Sequence, residues 1–64
     1  MVQINGESKD AANKNLYQYL VDEGFDISRV VVELNLEIIP AEDLKNITIK
    51  DNDSIEVLRF VGGG

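Results

Sequence analysis

The residues with chemistry to offer are few, and they gather at the end of the chain. The sequence closes Arg59-Phe60-Val61-Gly62-Gly63-Gly64, so an apolar, strand-like stretch runs into three glycines and a glycyl carboxylate. Triglycine has no side chains to pack, and ordering it costs more backbone entropy than ordering any other residues. It adds little to a fold and offers reach and slimness instead. Fully extended, three residues span roughly 10 Å, and without Cβ atoms they fit a narrow channel. Such a segment can carry the Gly64 carboxylate into a partner's buried site while the body stays outside. The same residues also read as a flexible end with no chemistry, and 61–64 is expected to be a flexible tail on either reading.

Elsewhere the chain is poor in reactive groups. It has no His and no Cys. That removes the commonest general base, the usual zinc ligands and the thiol nucleophile. Ser8, Ser28 and Ser54 have no histidine to activate them. No glycine-rich phosphate loop stands between a strand and a helix. The acidic run Asp51-Asn52-Asp53 fails the calcium-loop pattern, because Glu56 stands where that loop needs Gly and Gly62 where it needs Glu. No metal site is expected, no bound cofactor, and no enzymatic activity of the chain's own.

Sixty-four residues give a single expected domain, 1–64, with a thin core. Twelve acidic and six basic side chains leave a formal charge of -6. That balance argues against nucleic-acid binding, which needs basic residues against phosphates. It suits a protein partner with a basic surface, though acidity also serves plain solubility. No apolar run approaches a membrane span, the first residues lack a signal-peptide pattern, and the lack of Cys leaves no disulfide framework. A cytoplasmic location is the expectation.

These observations ask which elements would hold the chain end. Val2 and Ile4 alternate with Gln3, and Asn5-Gly6 is the strongest short hairpin signal. A weak return strand follows near 7–10. The helix pattern runs over 16–23, with Leu16, Tyr19 and Leu20 at helical spacing, Asn15 as N-cap, Gln18 as its capping-box partner and Gly24 as the left-handed stop. Val30–Leu34 is rich in β-branched residues and reads as an interior strand. Asn35-Leu36 makes a tight connection to Glu37-Ile38-Ile39, which Pro40 ends. One helical turn is expected over 41–44, a short strand through Ile47 and Ile49, and a turn at Asp51-Asn52-Asp53. The last strand, 54–60, turns Ile55 and Val57 one way and Leu58 and Phe60 the other. The expected fold is α+β: a mixed sheet of four to five strands with one main helix on one face. Its core would comprise Val2, Ile4, Leu16, Leu20, Val30, Val32, Ile55 and Val57. Leu58 and Phe60 would lie on the other, open face as a docking patch.

In this order of elements the chain resembles the β-grasp, ubiquitin-like sulfur carriers, and most closely the thiamine-pathway carriers of the ThiS family. The resemblance spans essentially the whole chain. It is carried by Ile4-Asn5-Gly6-Glu7, by Val32-Glu33-Leu34-Asn35 leading to Glu37-Ile38-Ile39-Pro40, by Asp51-Asn52-Asp53, and above all by Ile55 through Gly64. Leu36 departs from it, standing where the family usually has Gly, and Asn52 stands within what is usually Asp-Gly-Asp.

The resemblance implies that Gly64 is the reacting residue. Its carboxylate would be adenylated by an enzyme of the ubiquitin-activating type (ThiF-like) using ATP. A sulfur donor protein would supply the sulfur of a thiocarboxylate, which thiazole synthase (ThiG-like) would consume. Gly62 and Gly63 would thread the partner's channel, and Val61, Phe60 and Leu58 would meet its surface. Three other readings share features of the sequence: a small subunit of molybdopterin synthase, a ubiquitin-like modifier joined to target lysines, and a plain interaction domain.

Overall fold

The structure, a computed structural model, describes residues 1–60; Val61, Gly62, Gly63 and Gly64, with the tail expected there, lie outside the described residues. Five strands and one α-helix are described: β1 (Val2–Ile4), β2 (Glu7–Lys9), α1 (Leu16–Asp22), β3 (Val30–Leu34), β4 (Glu37–Ile39) and β5 (Ser54–Arg59). They form one mixed sheet in the order β2-β1-β5-β3-β4. β1 and β5 run parallel at its heart, and the outer pairings are antiparallel. This is the β-grasp arrangement expected from the sequence, with the last strand in the central position.

Each hairpin is set by an asparagine. Asn5 and Gly6 have φ of 51° and 81°, and Asn35 and Leu36 have 51° and 74°. Two successive left-handed residues make the turn whose twist matches that of paired strands. Between the hairpins, α1 starts at Asn15, whose Oδ1 accepts the Gln18 amide at 3.0 Å. The expected capping box stays half closed, because the Gln18 side chain instead donates to Asp22 Oδ1 at 2.9 Å, one turn further along the helix. Asn15 Nδ2 donates to the Lys45 carbonyl at 2.8 Å, tying the helix start to the 3-10 segment Ala41–Asn46. The helix ends as read from the sequence. Gly24 takes a φ of 89°, its amide donates to the Val21 carbonyl, and the Phe25 amide donates to the Leu20 carbonyl. That pair of bonds satisfies carbonyls the helix end would otherwise leave open.

Two expectations need correction. Ile47 and Ile49 do not lie in a strand of the sheet. Their segment pairs with the lead-in to the helix: the Asn13 amide donates to the Ile49 carbonyl, the Ile49 amide to the Lys14 carbonyl, and the Leu16 amide to the Ile47 carbonyl. The alternation is real, but its partner is a free helix start, which needs acceptors for its first amides. The core also differs. Val30 is only half-buried, because it sits at the end of β3 opposite Arg59. The buried cluster adds Ala11, Tyr19, Leu44 and Ile49 to Val2, Ile4, Leu16, Leu20, Val32, Ile55 and Val57. All of it lies between the helix-bearing face of the sheet and the segments that cross that face.

Candidate functional site: the central strand and the open sheet face

β5 is the strand that leads to the glycines, and it is held from both sides. On one side the Asn5 side chain extends the parallel ladder: its Oδ1 accepts the Val57 amide at 2.7 Å and its Nδ2 donates to the Val57 carbonyl at 3.3 Å. On the other, Asn35 Oδ1 accepts the Ser54 amide at 2.9 Å and the Asn35 amide donates to the Ser54 carbonyl at 2.7 Å. Near its end the Arg59 guanidinium stacks over the Phe25 ring, 4.9 Å from the centroid, on the helix side. The Phe60 amide then donates to the Arg29 carbonyl at 3.1 Å. The chain is therefore fixed in position and direction up to Phe60, and Val61-Gly62-Gly63-Gly64 follow in sequence.

The open face is laid out by the register. Val31 stands opposite Leu58, and Glu33 lies between Glu56 on β5 and Ile38 on β4. Leu58 and Phe60 are each 50% exposed, Ile38 is 69% exposed and Leu36, at the β3–β4 turn, is 90% exposed. Leu58 thus lies on this face, as its alternation suggested, and Phe60 follows just past the end of β5, half exposed. The sequence reading missed Val31 and Ile38 on this face, because neighbours across strands are visible only once the register is known. The face mixes these apolar groups with Glu33 and Glu56, partners in the register, an arrangement that favours a partner offering apolar and basic groups together.

The helix side offers less. A shallow cavity of about 200 Å³ lies there, bordered by Glu7, Lys9, Tyr19 and Glu23. The Lys9 ammonium sits 3.2 Å from Glu7, whose hydrogen bond and charge raise its pKa, so it is no nucleophile near neutral pH. Burial likewise pushes the Tyr19 phenol up. Among the described residues no group of three or more acidic, His or Cys side chains converges as a metal site would. Nor is any helix among them long and apolar enough to cross a membrane.

A mixed five-stranded sheet gripped on one face by a helix, with the chain end leaving from the central strand, defines the ubiquitin-like β-grasp class. Within that class the chain belongs to the ThiS family, the sulfur carriers of thiamine biosynthesis, whose match takes in residues 2–64. It is 35% identical over 68 residues to the sulfur carrier protein ThiS of Bacillus subtilis, with both chains covered in full. The crystal structure of the thiamine biosynthesis protein ThiS from Geobacter metallireducens superimposes with a TM-score of 0.77 at 34% identity, covering 98% of this chain and 97% of that one. A thiazole synthase of Paramagnetospirillum magneticum is 37% identical over 62 residues; the match takes in 95% of this chain and 19% of that protein, so the chain spans about a fifth of its length.

Proposed function

We propose that this chain is a sulfur-carrying protein co-substrate of thiamine thiazole formation, with the main-chain carboxylate of Gly64 as its reacting group. A free carboxylate is a poor electrophile. In this reading an adenylating enzyme of the ubiquitin-activating type lets the carboxylate attack the α-phosphate of ATP, with loss of pyrophosphate. The terminal sulfur of a donor protein's persulfide then displaces AMP to give an acyl disulfide, which a second thiol cleaves to a disulfide and the thiocarboxylate that thiazole synthase consumes. The ATP belongs to the partner, and the carrier supplies only an acyl group at the end of a slim arm. Gly62 and Gly63 thread the channel of each partner in turn. Val61, Phe60 and Leu58 form the contact surface next to it.

The observation that carries this reading is the double clamp on β5. A strand tied to both neighbours by Asn5 and Asn35 fixes the body of the protein up to Phe60, so the glycines that follow in sequence are joined to a rigid base. Pyrophosphate exchange into ATP with the cognate adenylating enzyme tests it. Deleting Gly64 moves the carboxylate back by about 3.5 Å. Since a misplacement of about 1 Å can cost a hundredfold in rate, exchange should fall below detection. Exchange at the wild-type rate by the deletion variant would refute the assignment of Gly64.

A further inference from the structure

Leu36 occupies a place where a leucine gains nothing from the fold. Its φ of 74° is left-handed, a backbone that suits glycine, and its side chain is 90% exposed. Ile38, two residues on, is 69% exposed. By the register Ile38 lies beside Glu33, Glu33 beside Glu56, and Val31 beside Leu58 in the next row. Apolar side chains therefore run from the hairpin tip across the open face toward β5, with the register partners Glu33 and Glu56 among them. Like charges directly opposite on a sheet are mutually unfavourable, so a cation brought by a partner would relieve the pair.

We propose that Leu36 and Ile38 are the anchor by which thiazole synthase recognises this chain, seated in an apolar pocket whose rim carries basic side chains against Glu33 and Glu56. The proposal rests on the reading of the chain as a sulfur carrier. One observation selects the synthase as occupant. The thiazole synthase of Paramagnetospirillum magneticum contains a stretch similar to 95% of this chain, so the fold occurs beside that enzyme. The charge of -6 and the register-paired glutamates call for a basic rim. The tip is at the opposite end of β3 from Arg29, which holds Phe60, so the anchor grips the body well away from the reacting end.

The test compares the wild-type chain with Leu36→Gly and with Leu36→Gly/Ile38→Thr. Binding to purified thiazole synthase is measured by calorimetry, and pyrophosphate exchange is followed with the adenylating enzyme. Both variants should fold, since glycine suits the turn and threonine suits a strand. Affinity for the synthase should fall roughly tenfold for the single variant and further for the double, in the range of interface anchors. The exchange rate should stay at the wild-type value. Unchanged affinity for the synthase overturns the anchor while leaving the carrier reading intact, and so does an equal loss toward both enzymes, which would make the tip a general contact. Failure of the wild-type chain itself to bind the synthase overturns the anchor and the carrier reading together.

Discussion

The two hairpins of the sheet share a backbone and differ in one residue. In the first, Asn5 and Gly6 have φ of 51° and 81°; in the second, Asn35 and Leu36 have 51° and 74°. The asparagine serves the same end in both. Its short amide tolerates the left-handed backbone and reaches across to β5, Asn5 to Val57 and Asn35 to Ser54. The second position is where they part. A Cβ added at Gly6 would meet nothing within 4 Å, so glycine is there for its backbone alone. Leu36 accepts the same backbone without that freedom and puts its side chain into solvent. The turn is thus specified by the asparagine and its bonds to the central strand. The residue after it is left open to selection for something other than folding.

Breaking the shared half of the comparison should have the largest effect. Asn5→Ala strips the Val57 amide and carbonyl of their part-buried partners and leaves alanine in left-handed backbone, so it should cost about 2–4 kcal/mol in urea unfolding. Asn35→Ala loses more exposed bonds and should cost about 1–2 kcal/mol. Equal losses would mean that the two sides of β5 are held alike and that burial does not separate them.

Swapping the half that differs should give effects of opposite sign. Gly6→Leu should destabilise by about 1–2 kcal/mol, the usual penalty for a side chain in the left-handed region. Leu36→Gly should stabilise by about 0.5–1 kcal/mol, less than the reverse because glycine also frees the unfolded chain. A loss of stability on Leu36→Gly would show that Leu36 packs against the fold after all. The smallest effect lies at acid pH. The Asp26 carboxylate accepts from the Ser28 hydroxyl and amide and lies near Arg29, which holds its pKa below the ordinary 3.8. Its folded form binds a proton less readily than its unfolded form. Its contribution is therefore present above about pH 4 and is lost as the pH falls through the folded value. Asp26→Asn should lower stability by a small, constant amount between about pH 5 and 8 and slightly flatten the acid limb of a stability–pH curve.

How much of this the sequence announced follows from whether a signal is local. Asn5-Gly6, the Asn15 cap, the Gly24 stop and the bounds of Val30–Leu34 and Glu37–Ile39 are local, and each stands where it was read. The stretch from Pro40 to Lys50 was read less well. Leu44 and Ile49 are buried there by irregular segments, and their periodicity carries no partner. For the site, alternation alone turned Leu58 to the open face and left Phe60 exposed just beyond it. Val31 and Ile38 joined Leu58 only through the register. The bonds from Asn5 and Asn35 to β5 link residues 52 and 19 apart, which no local pattern reveals.

The claim on which the function turns is that Gly64 holds the sulfur. The direct measurement is the intact mass of the protein after incubation with its adenylating enzyme, ATP and a sulfur donor, followed by fragmentation. The account predicts a gain equal to the difference between sulfur and oxygen, confined to the peptide that ends in Gly64 and lost on addition of thiazole synthase with its other substrates. An unchanged mass, or sulfur found on any other residue, would contradict it.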